Sequence, residues 1–558
     1  VCDPPNGPSS IINPPAVADR RYSSGILGRA FPSDVAGSYK PDMNRLLAKY
    51  AISLCAAILL PSLGWGGQLT LEQVKAATTE LEKLTESEMR TTGIPGIAIA
   101  VIFKDEVVFA RGFGVREVGK ENPVDADTVF QLASVSKPIG STVVAALVGE
   151  GLLAWDSRIS DLDPGFEMHD AWVTREITVR DFYCHRSGLP DHAGDLLEDL
   201  GYTREEVLER LRYQKPDTSF RSGYAYTNFG ITEGAVAAAK AAGKDWEEVS
   251  EEKLYVPLGM TSTSSRYQDF VARENRALGH VQIDGKWVQK YQREPDAQSP
   301  AGGVSSSVND MAKWMRLQLA GGKFEGKEIV KAEALEETHH PHMLTGFSPL
   351  DGLPGFYGLG WNVSYDQEGR LRLSHSGGFY LGAATNVALV PAEDLGVVVL
   401  TNTSPLGVAE GLASTFLDYA LHGKPTQNWL EVYKQVFARM LQAEKSQIGD
   451  YTRPLASPAP PSANAAYLGR YNNDYFGEIS VSEKDGGLAI ALGPGKMTFP
   501  MKHWDRDTFT YEGHGESAGG TAGITFTMAP DGNARSVLVE NLNLHGEGIF
   551  GRAAEDKQ

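Results

Sequence analysis

The chain has 558 residues, of which 42% are hydrophobic and 22% are charged. A chain of this length is too long to fold around a single hydrophobic core. Its composition is typical of folded domains rather than of disordered or fibrous chains. The formal net charge is −19. Lys and Arg do not cluster, and phosphate binding needs such clusters, so we exclude a nucleic-acid partner. We expect two globular domains with some additional sequence.

The N-terminal region carries the signature of a targeting segment. Residues 1–42 are rich in Pro, Ser and Gly and have no hydrophobic periodicity. Residues 43–67, MNRLLAKYAISLCAAILLPSLGWGG, begin with basic residues, continue with an apolar run and end with Pro and small residues, as in a secretory signal peptide. The apolar run is too short for a comfortable membrane span. We expect a natural start at Met43, residues 1–42 as upstream sequence, and a periplasmic or secreted product with no stable membrane span.

Residues 68–425 combine helical and strand patterns. An amphipathic helix is predicted near 70–90, followed by two β-rich runs around the polar turn Lys104-Asp105-Glu106, which indicates a hairpin. Helical patterns dominate from 137 to about 320. Apolar runs bounded by Gly, Pro and Asp return at 369–402. These patterns predict one sheet whose strands come from both ends of the domain, with a helical region inserted between them.

The C-terminal part has a different composition. Residues 426–464 are expected to form a helix and a linker that contains RPLASPAPPSANAAY. From 465 to 553, short apolar strands alternate with Gly, Asn and Asp turns. This pattern predicts a small all-β domain, a barrel or a curved sheet.

Ser134 and Lys137 form a Ser-x-x-Lys pattern at the start of an apolar helix. Three positions apart, the two side chains share one helix face. A buried lysine with a lowered pKa can take the proton of a serine hydroxyl, and a helix N-terminus favours a developing oxyanion. The same pattern recurs at Ser250 and Lys253 among Glu residues. Taken alone, the stretch fits either a nucleophile or a polar helix start.

Two further patterns lie downstream. Tyr226 and Asn228 precede a helix rich in small residues, and His375 and Gly377 lie in a strand pattern. Each has an ordinary structural interpretation, since an Asn can cap a helix and a Tyr can pack in a core. Both patterns also occur elsewhere in the chain, so their spacing alone does not assign a function.

The three patterns in this order resemble the penicillin-recognising serine hydrolases, a family that includes class C β-lactamases, DD-peptidases, D-aminopeptidases and esterases. Five more segments resemble that family in its order: ITVRDFYCHRSGLPDH (177–192), PLGMTSTSS (257–265), SPAGGVSSSVNDMAKWM (299–315), YGLGW (357–361) and LGVVVLTN (395–402). The resemblance covers about residues 90–425. It implies an α/β (α+β) β-lactamase-like fold, in which helices flank an antiparallel sheet and a helical subdomain is added. Residues 465–553 resemble the lipocalin-like domain of unknown function that follows many of these hydrolases.

The resemblance also implies roles for individual residues. Ser134 would be the acylated nucleophile and Lys137 its proton partner, with Tyr226 sharing the general acid and base duty. Asn228 would bind the substrate amide or orient the lysine. The backbone N–H groups of Ser134 and Gly378, next to Gly377, would form the oxyanion hole. Which of Lys137 and Tyr226 takes the serine proton stays open at this point.

His375 stands where β-lactamases of this group usually carry lysine. At its ordinary pKa of about 6.5, a histidine is only partly charged at neutral pH, whereas lysine is a permanent cation suited to a β-lactam carboxylate. We therefore expect amide hydrolysis of short peptides, with a carboxylesterase, a class C β-lactamase and a slowly turning-over penicillin receptor as alternatives.

Neither a cofactor nor a metal is expected. His339, His340 and His342 lie close together, but Pro341 interrupts any regular spacing between them. The expected partner is a small molecule or a short peptide, and the sequence allows a homo-oligomer.

Overall fold

The computed structural model describes residues 68–348, 352–517 and 519–554. The predicted signal peptide and residues 1–42 lie outside these ranges. None of the helices within them has an apolar stretch that is long enough to span a bilayer.

Sixteen α-helices lie within the described residues: α1 Leu71–Thr92, α2 Ser136–Gly149, α3 Ile159–Leu162, α4 Ala171–Glu176, α5 Val179–Tyr183, α6 Asp195–Asp199, α7 Arg204–Arg210, α8 Asn228–Ala241, α9 Trp246–Ser250, α10 Val256–Leu258, α11 Tyr267–Ala272, α12 Ser299–Gly302, α13 Val308–Leu319, α14 Ala332–His339, α15 Val408–His422 and α16 Trp429–Lys445. Many of the helices between residues 155 and 302 have only one or two turns, so tertiary contacts rather than helix propensity must hold them.

The strands before residue 425 are β1 Gly96–Phe103, β2 Glu106–Gly114, β3 Phe130–Gln131, β4 Val281–Ile283, β5 Lys286–Val288, β6 Ser305–Ser306, β7 Lys323–Phe324, β8 Lys327–Glu328, β9 Met343–Phe347, β10 Pro354–Tyr357, β11 Asn362–Tyr365, β12 Leu371–Phe379, β13 Ala383–Val390 and β14 Leu395–Thr401. Eight of them form one antiparallel sheet in the order β2-β1-β14-β13-β12-β11-β10-β9. The predicted single sheet with strands from both ends of the domain is therefore confirmed.

The predicted hairpin is also confirmed. Strands β1 and β2 pair around Lys104 and Asp105, which have φ values of 50° and 63°. Two successive positive φ values match the right-handed twist of the flanking strands, so this two-residue loop closes a tight hairpin. β1 then pairs with β14, from Ile97 opposite Thr401 to Phe103 opposite Leu395.

The central strands are buried on both faces. Ile97, Ile99 and Val101 of β1 belong to one apolar cluster, which α1 and α15 cover. Ala98, Ala100 and Ile102 belong to the other cluster, which includes α2, α13 and the helical region. Burial on both faces explains why β1 and β14 consist almost entirely of apolar residues. In contrast, β12 carries a buried polar side chain, that of His375.

The C-terminal domain is a closed eight-stranded barrel. Its strands are β15 Gly469–Asn473, β16 Gly477–Lys484, β17 Gly487–Leu492, β18 Met497–Asp505, β19 Thr508–Gly513, β20 Gly520–Met528, β21 Ala534–Val539 and β22 Ile549–Arg552. The predicted small all-β domain is thus a barrel. Apolar side chains of alternating strand residues fill it, among them Tyr471, Ile490, Phe526 and Phe550. The barrel contacts the helical region directly, since the Tyr202 hydroxyl donates to the Phe476 carbonyl at 2.6 Å.

Candidate active site

Ser134 lies in a short 3₁₀ turn, Ala133–Val135, which leads directly into α2. The turn is held from outside, since the Leu132 N–H donates to the Val304 carbonyl at 2.9 Å. Ala133 has a φ of 48°, a left-handed conformation that costs energy for a residue with a Cβ. Ala133 is fully buried, whereas Ser134 remains partly exposed. The fold therefore presents the serine hydroxyl at the end of a helix and fixes the backbone behind it.

Lys137 is the second residue of α2 and is fully buried. Its Nζ lies 3.0 Å from Ser134 Oγ, 2.6 Å from Asn228 Oδ1 and 3.0 Å from the Ala301 carbonyl oxygen. Burial lowers the pKa of the Lys137 amine to about 7, although the nearby Asp195 carboxylate opposes this shift. The structure thus brings the two halves of the Ser-x-x-Lys pattern into contact and leaves a large fraction of the amine neutral at pH 7.

Tyr226 and Asn228 reach the same point from the start of α8. The Tyr226 side chain lies near Ser134, and Lys137 Nζ lies 4.5 Å from the centroid of its ring. Burial raises the pKa of Tyr226 well above its usual range, so its hydroxyl stays protonated. Asn228 does not cap the helix. Its amide nitrogen donates to Asp195 Oδ2 at 2.8 Å, while its oxygen accepts from Lys137.

His375 lies on β12, and its imidazole is held at both nitrogens. Nδ1 is 2.7 Å from the Ser376 carbonyl oxygen, and Nε2 is 2.8 Å from the Tyr357 hydroxyl. A carbonyl can only accept, so Nδ1 carries the proton and Nε2 accepts from Tyr357. Burial, together with the nearby Lys137, lowers the pKa of His375 to about 3. The expectation of a partly charged histidine at neutral pH is therefore wrong, because the expected pKa ignored burial.

Gly377 allows β12 to approach the Ser134 turn. A Cβ at this position would lie 2.2 Å from the Leu132 carbonyl oxygen and 2.4 Å from Thr385 Oγ1, closer than atoms can pack. It would also lie 3.0 Å from the backbone nitrogen of Ser134. Gly378, the next residue, is exposed, and a Cβ there would meet only the Pro405 side chain within 3.0 Å. The strand thus places Gly377 against the Ser134 turn and Gly378 at the open side of the site.

A chain of polar contacts leads from Lys137 to the surface. Beyond Asn228, Asp195 Oδ2 also lies 2.7 Å from His192 Nδ1, and the His192 side chain is 56% exposed. The hydrogen bond and the negative charge of Asp195 raise the pKa of His192. Sequence reasoning missed Asp195, because no spacing rule links it to Asn228, which lies 33 positions later. Only the folded chain brings the first residues of α6 and α8 together.

The ring of His185 packs beside the rings of Tyr226 and Tyr357. The His185 ring lies 4.6 Å from the ring of Tyr226 and 4.6 Å from that of Tyr357, measured between centroids. His185 Nδ1 accepts the Thr227 N–H at 3.1 Å, and burial lowers its pKa well below the usual range. These contacts place His185 in the wall of the site, beside Tyr226 and Tyr357. Sequence reasoning assigned no role to Tyr357, although the YGLGW segment that contains it supported the family resemblance.

The second Ser-x-x-Lys pattern has a different environment. The Ser250 hydroxyl donates to the Trp246 carbonyl at 2.8 Å, and Lys253 forms an ion pair with Glu150 at 2.9 Å. Both groups are therefore engaged elsewhere, in agreement with the structural interpretation of this copy.

The three neighbouring histidines do not converge. His339 Nε2 contacts Gln318 Oε1 at 3.0 Å, whereas His340 and His342 both contact Glu337. Within the ranges that the structure describes, no three His, Cys, Asp or Glu side chains form a group suited to a metal ion. The expected absence of a metal or cofactor stays a prediction.

Comparison with known proteins agrees with this geometry. A family model described as Beta-lactamase matches residues 81–420, and one described as a domain of unknown function (DUF3471) matches residues 453–552. The chain is 26% identical over 404 residues to an unguisins hydrolase of Aspergillus campestris, which covers 69% of this chain and 73% of that protein. It is 26% identical to the D-alanyl-D-alanine-carboxypeptidase/endopeptidase AmpH of Escherichia coli K12, over 56% of this chain and 81% of that protein.

A second group of similar proteins is named for penicillin binding. Penicillin-binding protein 4 of Amycolatopsis lactamdurans is 28% identical, over 55% of this chain and 81% of that protein. The solved structure of the octameric penicillin-binding protein homologue from Pyrococcus abyssi superposes with a TM-score of 0.54 at 21% identity, over 83% of this chain and 98% of that one. That structure shares the fold. With a family model matching more than half of its length, the chain belongs to the beta-lactamase family, whose relatives here are hydrolases and penicillin-binding proteins.

Proposed function

We propose that this protein is an exported serine hydrolase that acts through an acyl-enzyme and cleaves amide bonds of short peptides. The observation that carries the proposal is the buried Lys137 amine, which lies 3.0 Å from Ser134 Oγ while two fixed acceptors hold its other side. The relatives named as an unguisins hydrolase and as a carboxypeptidase/endopeptidase support the hydrolase class.

The contacts of Lys137 suit a general base. A neutral amine has two N–H bonds and one lone pair, and the site offers two acceptors that cannot donate here, Asn228 Oδ1 and the Ala301 carbonyl. When both N–H groups point to these acceptors, the lone pair faces the Ser134 hydroxyl. We assign the removal of the serine proton to Lys137, because the raised pKa of Tyr226 makes a tyrosinate costly.

Tyr226 then acts as a proton donor. Its neutral hydroxyl lies near Ser134 and its ring lies beside the Lys137 amine, so it can pass the proton from the lysine side to the leaving nitrogen. The backbone N–H groups of Ser134 and Gly378 would stabilise the oxyanion, aided by the positive end of α2. Water would then hydrolyse the ester, with the same groups used in reverse order.

The neutrality of His375 bears on the substrate. With Nδ1–H donated to the Ser376 carbonyl and Nε2 accepting from Tyr357, the imidazole brings no positive charge to the site. A substrate carboxylate, such as that of a β-lactam, would gain no ion pair from it. We therefore place peptides first, esters second and β-lactams third. Self-association stays an expectation of the sequence, since the octamer belongs to the Pyrococcus abyssi protein.

Mass spectrometry of the intact protein over time tests this function. The protein is mixed in turn with a fluorophosphonate, a penicillin and p-nitroanilides of short peptides, including D-residue ones. We expect a stable phosphonyl adduct on Ser134, and p-nitroaniline release that Ser134→Ala abolishes. A lasting penicillin adduct without turnover of any substrate would instead indicate a receptor, and full activity in Ser134→Ala would contradict the proposal.

The pH dependence provides a second test. Because burial lowers the pKa of Lys137 to about 7, the base is protonated below that pH, and kcat/KM is expected to fall about tenfold per pH unit on the acid side. The pKa of His375 is about 3, so this histidine does not titrate in the same range. In His375→Gln, the fall of kcat/KM below about pH 7 should remain. If this fall disappeared, the titrating group would be His375.

A further inference from the structure

A loop of the C-terminal barrel reaches the end of β12, just beyond Gly378. The Glu516 carboxylate accepts the backbone N–H of Tyr380 on one oxygen and that of Leu381 on the other, the latter at 3.1 Å. Tyr380–Gly382 form the turn that joins β12 to β13. One carboxylate from a different domain thus holds two successive N–H groups of this turn.

The loop that carries Glu516 is itself anchored to the catalytic domain. The N–H groups of Glu516 and Ser517 donate to the two oxygens of Asp199, at 2.9 and 2.5 Å. Asp199 also lies 3.3 Å from Arg293 Nη1, and Arg293 forms an ion pair with Glu198. Two carboxylates therefore meet one guanidinium, and Asp199 also accepts the two backbone N–H groups of the loop.

Arg293 is also linked by apolar contacts to the turn Ala133–Val135, which carries Ser134. The Arg293 guanidinium lies 5.4 Å from the ring centroid of Phe379, the residue between Gly378 and the Glu516-bound turn. Phe379 packs in a buried cluster with Ala383 and with Ala133, which precedes Ser134. A displacement of the turn would thus pass to both Gly378 and the backbone behind Ser134.

We infer that Glu516 is a positioning residue for the oxyanion hole, so that the barrel supplies part of the catalytic geometry. This inference rests on the proposed function, in which the Gly378 N–H binds the oxyanion. Other contacts hold the turn at its carbonyl and its side chain, since Ser404 Oγ donates to the Tyr380 carbonyl at 2.6 Å and the Tyr380 hydroxyl donates to Glu444 at 2.9 Å. Glu516 holds its two successive N–H groups. The bidentate carboxylate provides the rigidity that a preorganised donor requires.

Two substitutions in the full-length protein test the inference. Glu516→Ala removes both acceptors, and Glu516→Gln keeps the shape but leaves only one oxygen to accept. We expect kcat for a p-nitrophenyl ester to fall about 10- to 100-fold in Glu516→Ala and less in Glu516→Gln, with KM nearly unchanged, because small displacements of catalytic groups have effects of this size. The rate of Ser134 phosphonylation by a fluorophosphonate should fall in parallel.

The matched control is Glu512→Gln, because Glu512 is an exposed glutamate of the same barrel that contacts Thr521 within it. Hydrogen exchange adds a direct readout, since the Tyr380 and Leu381 amides should exchange faster in Glu516→Ala at an unchanged melting temperature. If Glu516→Ala kept both the wild-type kcat and the wild-type exchange rates, the inference would be overturned. The proposed function would be unaffected, because turnover would still depend on Ser134. Absence of that turnover in the wild-type protein would instead overturn the proposed function and this inference with it.

Discussion

Replacing Lys137 with methionine is expected to lower kcat/KM for a p-nitrophenyl ester by about 10³-fold, within the range attributed to general bases. Methionine is unbranched and of similar length, so it suits the buried position without leaving a charge there. The amine that faces Ser134 Oγ at 3.0 Å would be lost, and the serine would keep its proton. Steady-state kinetics measure the effect, and thermal unfolding checks that the variant is folded.

The chain provides its own control for this experiment. Lys253 belongs to the second Ser-x-x-Lys pattern but pairs with Glu150, and Ser250 is engaged with the Trp246 carbonyl. Lys253→Met should keep kcat/KM within about twofold, because it removes only the ion pairs with Glu150 and Glu252, whose carboxylates are partly exposed. If Lys137→Met retained wild-type kcat/KM between pH 7 and 9, another group would have to be the base, and Tyr226 would be the first candidate.

Replacing Gly377 with alanine is expected to reduce kcat/KM more than 100-fold, about the loss seen when an oxyanion donor is removed. The new methyl group would lie 2.2 Å from the Leu132 carbonyl oxygen and 2.4 Å from Thr385 Oγ1. Both neighbours are buried and belong to the turn and to β13, so the strand must move away from Ser134. Overpacking of this kind also costs about 1–3 kcal/mol of stability.

The kinetic and stability effects can be separated with a second glycine. Gly551 lies in barrel strand β22, and a Cβ there would meet nothing within 4 Å. Gly551→Ala should therefore keep both the melting temperature and kcat/KM. Near-wild-type kcat/KM in Gly377→Ala would show that β12 does not need its close approach to the Ser134 turn.

Much of this architecture follows from sequence patterns. Apolar runs predicted the sheet, the polar turn Lys104-Asp105-Glu106 predicted the hairpin, and alternation after residue 465 predicted the all-β domain. These signals are local, because each depends on periodicity within one element. The Ser134, Tyr226 and His375 patterns were brought together by the resemblance. The fold then places Lys137 Nζ 3.0 Å from Ser134 Oγ and 4.5 Å from the Tyr226 ring centroid, with the Tyr226 and His375 ring centroids 6.4 Å apart.

The remaining features depend on long-range burial. Asp195, the first residue of α6, contacts Asn228 only in the folded chain, and Glu516 reaches the turn after β12 across a domain junction. The charge of His375 was misjudged for the same reason, since a reference pKa contains no information on the surrounding protein. Export was predicted from residues 43–67, which lie outside the described ranges, and it stays a prediction.

The left-handed backbone of Ala133 carries a consequence for attempts to stabilise this protein. Glycine would relieve the φ of 48°, but it would also remove the methyl group that packs against Phe379 and Ala383. Any gain in melting temperature at this position would come from loosening the support of Ser134. Stabilising substitutions should therefore be sought in exposed loops and at helix ends, because a substitution at residue 133 would raise thermal stability at the expense of activity.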